Sequence, residues 1–176
     1  MRFMLAALSM CVMISPAMAF SPEVPVKTLV DATVENWAGV NEEFKFVLSD
    51  EMLDRVYSKA FANAYRDAKK KLSAEANDGE EYDPFGYDII TNSQDGCPLQ
   101  DVKTDIASSA SGKAEVIVSF KHLSCMGDDA DYQIRNVVHF DVIEEGGKAV
   151  VDDIRHKGDE GEQSLRDDLE DIIKGR

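Results

Sequence analysis

The spacing of apolar residues changes from a helical period to a strand period just past the midpoint of the chain. Two apolar stripes with intervals of three and four residues come before the change, and each predicts an amphipathic helix. The apolar positions of the first helix are Val26, Leu29, Val30, Val34, Trp37 and Val40. Those of the second are Met52, Leu53, Val56, Tyr57, Ala60, Phe61, Ala64, Tyr65, Ala68 and Leu72. We therefore expect one long second helix, with Ser49 as its N-cap.

Apolar and polar residues alternate with a period of two in the second half of the chain, which predicts antiparallel strands. The alternating positions are Val102, Thr104 and Ile106 in the first strand, and Ala114, Val116, Val118 and Phe120 in the second. The third strand runs from about Tyr132 to Ile143, with Ile134, Asn136, Val138, Phe140 and Val142 on one face. Glu144 to Gly147 predict a hairpin turn before a fourth strand, Ala149 to His156, which Gly158 to Gly161 end.

A short third helix closes the chain. Ser164 and Asp167 have the spacing of a capping box, and the inward positions after them are Leu165, Leu169, Ile172 and Ile173. The predicted fold is α+β, with N-terminal helices packed on a curved antiparallel sheet of about four strands and a short C-terminal helix. Residues 41–48 are interpreted as a connector in which Phe44, Phe46 and Leu48 alternate.

The first 19 residues have the features of a cleaved signal peptide. Arg2 precedes an apolar run from Phe3 to Ile14, and Ala17-Met18-Ala19 is a small-x-small site for cleavage before Phe20. That run is shorter than the roughly 20 residues that a membrane span needs. We therefore expect residues 20–176 to form a single exported domain in the periplasm or outside the cell. A lipid anchor on Cys11 is the alternative.

The chain is strongly acidic, and this limits its partners. Its formal charge is −15, and it becomes −16 once the signal peptide is removed, because Arg2 is the only charged residue there. Nucleic acids and anionic membrane surfaces require clustered Lys and Arg, so both are excluded as partners. No second long apolar stretch follows the signal peptide, so no membrane span is expected. An acidic surface attracts a basic protein or a cation, although charge repulsion that keeps the protein soluble is the commoner reason for such a charge.

Export to an oxidising compartment leaves an even pair of cysteines, Cys97 and Cys125, which predicts a disulfide. Zinc bound by Cys97, His122 and Cys125 is the alternative, but the sequence offers no evident fourth ligand.

Polar residues on the last two predicted strands are candidates for a site. His139 and Asp141 are two residues apart and share a face with Arg135, so a histidine beside a carboxylate could act as a general base. Asp152 and Asp153 point to opposite faces, and Arg155 lies on the Asp153 side, where it could pair with that carboxylate. The structural alternatives are a solvated outer sheet face for the first group and an ion pair that fixes the strand register for the second.

Two loops add candidates. Asp83-Pro84-Phe85 is interpreted as a turn whose Phe85 anchors the loop on the core, or as a pocket wall that continues to Tyr87. Asp128, Asp129 and Asp131 lack the spacing of a calcium loop and are interpreted as a solvated turn. No Gly-x-Ser-x-Gly motif and no glycine-rich phosphate loop occurs. We expect no cofactor, no metal ion and no catalytic residue.

The order of these pieces resembles the cone-shaped fold of nuclear-transport-factor-2-like (cystatin-like) domains. It resembles more narrowly a bacterial family of unknown function found in small exported proteins and lipoproteins. The matching pieces are Leu48-Ser49 before the long helix, Asp83-Pro84-Phe85, Val151-Asp152-Asp153-Ile154-Arg155 on the last strand, and Ser164-Leu165-Arg166. The resemblance implies a fold and an exported location, and it carries no activity.

We therefore expect an exported, non-enzymatic binding or interaction module for a protein or a small molecule. Inhibition of a basic envelope protein is one version of this function, with the concave sheet face or the Asp83–Tyr87 loop as the contact surface. The alternative is a small-molecule enzyme that uses His139 and Asp141 or Asp153 as acid and base in the cone pocket, and a purely structural envelope protein also remains open. The sequence leaves the oligomeric state open.

Overall fold

The structure is a computed structural model that describes residues 20–39, 43–76, 79–158 and 161–176. The expected signal peptide, the alternative lipid anchor and Val40 lie outside these residues. The helices are α1 (Glu23–Ala38), α2 (Asp50–Arg55), α3 (Lys59–Ala76) and α4 (Leu165–Lys174). The strands are β1 (Gln100–Ala110), β2 (Lys113–Lys121), β3 (Asn136–Glu145), β4 (Lys148–Gly158) and β5 (Gly161–Ser164). The expected α+β class is confirmed.

The five strands form one antiparallel sheet in the order β1-β2-β3-β4-β5. Its inner face carries alternating buried residues, such as Val116 and Val118 on β2 and Phe140 on β3, which are all fully buried. Helices α1, α3 and α4 pack on β4, and α3 also packs along α4. The core therefore lies between the helices and the β2–β4 part of the sheet, while all eleven residues of β1 are exposed.

The long second helix is divided in the structure, so the prediction of one continuous helix is wrong. The segment 56–58 leaves the helical path and pairs with β4: the Val151 N–H donates to the Val56 carbonyl at 2.9 Å, and the Ser58 N–H donates to the Val151 carbonyl at 2.8 Å. Tyr57 forms a parallel bridge to Val151. The hydrogen bonds of this segment to β4 replace the hydrogen bonds that a continuous helix would have made. The partner strand is distant in the chain, so the local apolar pattern gives no indication of this pairing.

Other differences occur at element ends. Tyr132 lies in a 3₁₀ turn (Ala130–Gln133) and Ile134 is 59% exposed, so β3 begins at Asn136 and not near Tyr132. β4 ends at Gly158, but a short polar strand that was not predicted, β5, begins at Gly161 and pairs antiparallel with the end of β4. In α4, Leu165 and Leu169 are buried but Ile173 is 37% exposed, so Ile173 is not inward. Among the described residues, no helix has both the length and the hydropathy needed to cross a bilayer.

Candidate functional site

An open, mostly apolar groove of about 490 Å³ lies between the end of α1, the segment Phe44–Leu48 and the loop Phe85–Ile89. Phe44 is 71% and Phe46 is 44% exposed, whereas Phe85 is buried. We call the groove that is lined by Trp37, Phe44, Phe46, Phe85 and Tyr87 the aromatic groove. A concave, largely apolar surface with a few fixed polar groups is the usual composition of a binding site.

The wall that carries Phe44 and Phe46 is fastened to α1 by Asn36. The Asn36 side chain donates to the Lys45 carbonyl at 2.9 Å and accepts from the Lys45 N–H at 2.8 Å. The Lys45 ammonium also pairs with Glu35. This two-point contact fixes the backbone between the two phenylalanines, so both rings stay exposed without collapsing onto the core.

Asp88 connects the two remaining walls of the groove, the loop Phe85–Ile89 and the end of α1. Its Oδ1 accepts hydrogen bonds from the N–H groups of Ile90 and Thr91, both at 2.9 Å, and from the Thr91 hydroxyl at 3.3 Å. Its Oδ2 accepts from the Trp37 indole N–H at 3.3 Å. The carboxylate therefore closes its own turn and ties that turn to the end of α1.

The Asp83–Tyr87 loop packs on the core through Phe85 and borders the aromatic groove. Asp83 Oδ1 accepts from the Phe85 N–H at 2.7 Å, and Oδ2 accepts from the Tyr65 hydroxyl at 3.0 Å. Phe85 is 5% exposed and packs in the core beside Tyr65, and it also lines the aromatic groove with Tyr87. Burial, reinforced by Asp83, raises the pKa of Tyr65, and burial raises that of Tyr87. Both phenols therefore stay neutral at neutral pH.

A disulfide between Cys97 and Cys125 holds the loop that follows the groove, which confirms the predicted pairing. Because both sulfurs are used in the bond, the alternative zinc site lacks its thiolates. The Cys97 N–H also donates to the His122 carbonyl at 2.7 Å. A Cβ at Gly96 would lie 2.9 Å from the His122 ring and 3.0 Å from the Trp37 ring, so only glycine fits between them.

His139 and Asp141 share the outer face of the sheet, but they do not bond to each other. The His139 Nδ1 donates to Glu115 at 2.9 Å, and Arg155 donates to Glu115 at 2.7 Å and to Asp141 at 2.9 Å. Arg155 also reaches Glu162 at 2.5 Å. The hydrogen bond from His139, helped by Arg155, lowers the pKa of Glu115. The carboxylate partner of His139 is therefore Glu115, which was not among the sequence candidates.

Arg135 lies just before β3 and apart from this cluster. It donates to the Asp101 carbonyl at 2.8 Å and to the Ser119 hydroxyl at 3.2 Å. Neither Arg135 nor His139 lines the aromatic groove.

Asp152 and Asp153 occupy a bulge in β4 and anchor two helices. Asp152 accepts from the Ser58 hydroxyl at 2.6 Å and from Arg166 at 2.8 Å. Asp153 accepts from the Ser164 hydroxyl at 2.6 Å, the Arg166 N–H at 3.0 Å and the Ile154 N–H at 2.8 Å. The expected Asp153–Arg155 pair is replaced by these donors. Burial nevertheless raises the pKa of Asp153.

A second cleft, of about 470 Å³, contains two histidines that the sequence did not identify as a pair. His122 and His156 are each 6% exposed. The Asn136 amide donates to the His122 Nδ1 at 2.7 Å, and the His156 Nε2 donates to the Ile89 carbonyl at 2.8 Å. Burial lowers the pKa of both imidazoles, so both are neutral at neutral pH. His122 lies just after β2 and His156 lies in β4, so sequence spacing gave no signal for them.

The aspartates after Cys125 do not form a cluster of ligands. Asp128 and Asp129 lie in an exposed bend and Asp131 in the 3₁₀ turn. Within the described ranges, no three His, Cys, Asp or Glu side chains are arranged to hold a metal ion.

Comparisons with protein-family models, with curated proteins and with solved structures found no match to this chain. Its function is therefore inferred from the geometry of its own residues.

Proposed function

We propose that this chain is an exported, non-enzymatic binding module that uses the aromatic groove to hold a basic segment of a partner protein. The observation that carries the proposal is an open groove of about 490 Å³ with two exposed phenylalanines, on a chain whose charge without residues 1–19 is −16. A soluble protein that exposes neighbouring large aromatic rings around a concavity does so at the expense of solubility, which is typical of an interaction surface.

The chemistry of the groove favours side chains that are both apolar and cationic. Lysine and arginine have long methylene stems that pack on apolar surface, and their charged groups are attracted to the faces of aromatic rings. Trp37, Phe44, Phe46 and Tyr87 supply such rings. A partner segment in which basic and apolar residues are interleaved therefore fits the groove.

The negative charge of the whole molecule also favours a basic partner. An acidic protein attracts a basic partner over several ångströms and accelerates their association, and it repels acidic competitors. A basic envelope protein that is inhibited in this way is one form of the function. The leader-like pattern in residues 1–19 supports export, and the α+β order of elements supports a cone of the nuclear-transport-factor-2-like type.

The enzyme alternative receives less support. His139 and Asp141 are held by Glu115 and Arg155 on the outer sheet face, and Asp153 is held at the start of α4. A general base has to reach a substrate proton, and these groups are occupied by neighbouring side chains.

The test uses Trp37, the only tryptophan of the chain, as a reporter in the groove. The probe is a short peptide of alternating lysine and leucine, and its control is a glutamate–leucine peptide of equal length. We expect the lysine peptide to change Trp37 fluorescence with a saturable Kd that weakens as salt is added. Equal binding of both peptides, or no binding of the lysine peptide, overturns the proposal.

The variant Phe44→Ala locates the binding. Phe44 is exposed, so its removal leaves the fold intact, and we expect the Kd for the lysine peptide to increase about tenfold, which corresponds to the partial burial of one aromatic side chain. Val24→Ala is the matched control, because Val24 is 58% exposed on α1 but does not line the aromatic groove. An unchanged Kd in Phe44→Ala places the peptide elsewhere and contradicts the proposed site.

A further inference from the structure

β1 is a long strand at one edge of the described sheet. β1 has eleven residues, all of them exposed, and it pairs only with β2 within the described part of the chain. A strand in this position presents a row of backbone N–H and C=O groups, which is a template for another strand. Soluble proteins usually shorten, cover, charge or bulge such edges. β1 has three charged residues, Asp101, Lys103 and Asp105, and its register irregularities lie on either side of a regular segment, 103–106.

The pairing of β1 with β2 shows which side chains lie on each face. Lys103 opposes Ser119 and Asp105 opposes Ile117, so these two charges lie on the outer face. Thr104 opposes Val118 and Ile106 opposes Val116, so both lie on the inner face. Alternation along the strand places Val102 on the inner face as well. Val102 is 37% and Ile106 is 49% exposed, and among the described residues the helices pack mainly on β4.

We propose that β1 is a self-association edge, where two copies of this chain pair antiparallel around a two-fold axis through Thr104. In this register, Thr104 lies opposite Thr104 of the second copy. Lys103 lies opposite Asp105 of the second copy on the outer face, and Val102 lies opposite Ile106 on the inner face. The axis generates each pair twice, and the two five-stranded sheets become one continuous sheet.

The residues of β1 specify this register over its neighbours. An axis through Lys103 would place Lys103 opposite itself and Asp101 opposite Asp105, and an axis through Asp105 would place two Asp105 carboxylates together. Like charges directly opposite each other destabilise a strand pair, whereas unlike charges stabilise it. Of these three axes, only the one through Thr104 joins unlike charges on one face and apolar side chains on the other. An axis through Val102 would also pair Asp101 with Lys103, but it lies where the register of β1 is irregular, between Gln100 and Lys103. The Thr104 axis also keeps like charges out of the seam between two strongly acidic molecules.

A charge swap tests the register. Lys103→Asp turns both attractive pairs into repulsive ones, and so does Asp105→Lys. We expect each to raise the Kd of the dimer about tenfold in sedimentation equilibrium, because two cross-strand pairs change sign. The double variant Lys103→Asp/Asp105→Lys restores unlike pairs, and its Kd should return to within about threefold of the original value. Lys70→Asp, an exposed site on α3 with the same change of charge, is the control.

Cysteine cross-linking tests the axis directly. Residues that oppose each other across an antiparallel pair have Cα atoms about 4.5 or 5.5 Å apart, which is within the range of a disulfide. Mild oxidation should therefore join Thr104→Cys chains into a covalent dimer. Ser109→Cys should not react in this way, because two copies of residue 109 would lie about 33 Å apart along the strands. A monomer at every concentration, a swap that fails to restore the dimer, or equal cross-linking at both positions overturns the proposal.

Discussion

At the scale of single residues, Asp153 is a buried carboxylate that accepts a hydrogen bond from the first turn of α4. It is 9% exposed and accepts hydrogen bonds from two backbone N–H groups and one hydroxyl. One of these donors is the Arg166 N–H in the first turn of α4, where a helix has no internal acceptor for its own N–H groups. Asp153 therefore connects the bulge in β4 to the start of α4.

Two substitutions of Asp153 distinguish the contribution of its hydrogen bonds to stability from the contribution of its charge. Asp153→Ala leaves the Arg166 and Ile154 N–H groups without their acceptor, and we expect the free energy of unfolding to fall by about 1–3 kcal/mol. Asp153→Asn keeps an oxygen for those donors and removes the charge, so its loss at neutral pH should be smaller. Urea unfolding of the three proteins gives the comparison.

The pH dependence of the same variants tests the raised pKa of Asp153. Because the folded state holds this proton more tightly than the unfolded chain, the contribution of Asp153 to stability falls as pH rises from about 4 through its raised folded-state pKa. Asp153→Asn lacks this titration, so its deficit relative to the original protein should shrink between about pH 4 and neutral pH. A deficit that stays constant over this range would mean that burial does not raise the pKa of Asp153.

At the scale of elements, Ser58 decides where the helical segment divides. Its hydroxyl accepts from the Phe61 N–H at 3.0 Å, which caps α3, and donates to Asp152 at 2.6 Å. We expect Ser58→Ala to reduce the free energy of unfolding by about 1–3 kcal/mol, because a cap and the buried donor to a carboxylate disappear together.

Ser49→Ala is the matched comparison for Ser58→Ala. Ser49 caps the short helix α2 through a longer hydrogen bond of 3.4 Å, and within the described ranges its hydroxyl has no carboxylate partner. We expect a loss below about 1 kcal/mol in the same unfolding experiment. If the two substitutions cost the same, the bond between Ser58 and Asp152 does not contribute to holding the helices on β4.

The elements also show which parts of the fold a sequence can predict. The alternation in β2 and in Val138–Val142 of β3 was visible because one face of each strand is buried. The break at Tyr57 depends on Val151 in β4, and β5 depends on pairing with the end of β4, so neither leaves a local pattern. The residues of the aromatic groove show the same distinction between what the sequence predicts and what it does not. Phe85 and Tyr87 form a recognisable loop, whereas Phe44 becomes a wall of the groove only through the contact between Asn36 and Lys45.

At the scale of the whole molecule, the disulfide joins the loop behind the aromatic groove to the turn that follows β2. Cys97 and Cys125 are separated by 28 residues, and adjacent Gly96 packs against Trp37 and His122. A cross-link that closes a loop of this length restricts the unfolded chain, and the chain-entropy relation gives about 3–4 kcal/mol of stabilisation.

We therefore expect a reductant to lower the free energy of unfolding of the protein by about 3–4 kcal/mol in urea. The fluorescence of Trp37 should also change before global unfolding, because the Cys97 segment supports one side of its ring. Cys97→Ala/Cys125→Ala is the control: it should have the lower stability from the start and should not respond to the reductant. Equal unfolding midpoints of the original protein with and without reductant would show that the remaining contacts, among them the bond from Cys97 to the His122 carbonyl, hold this loop without the disulfide.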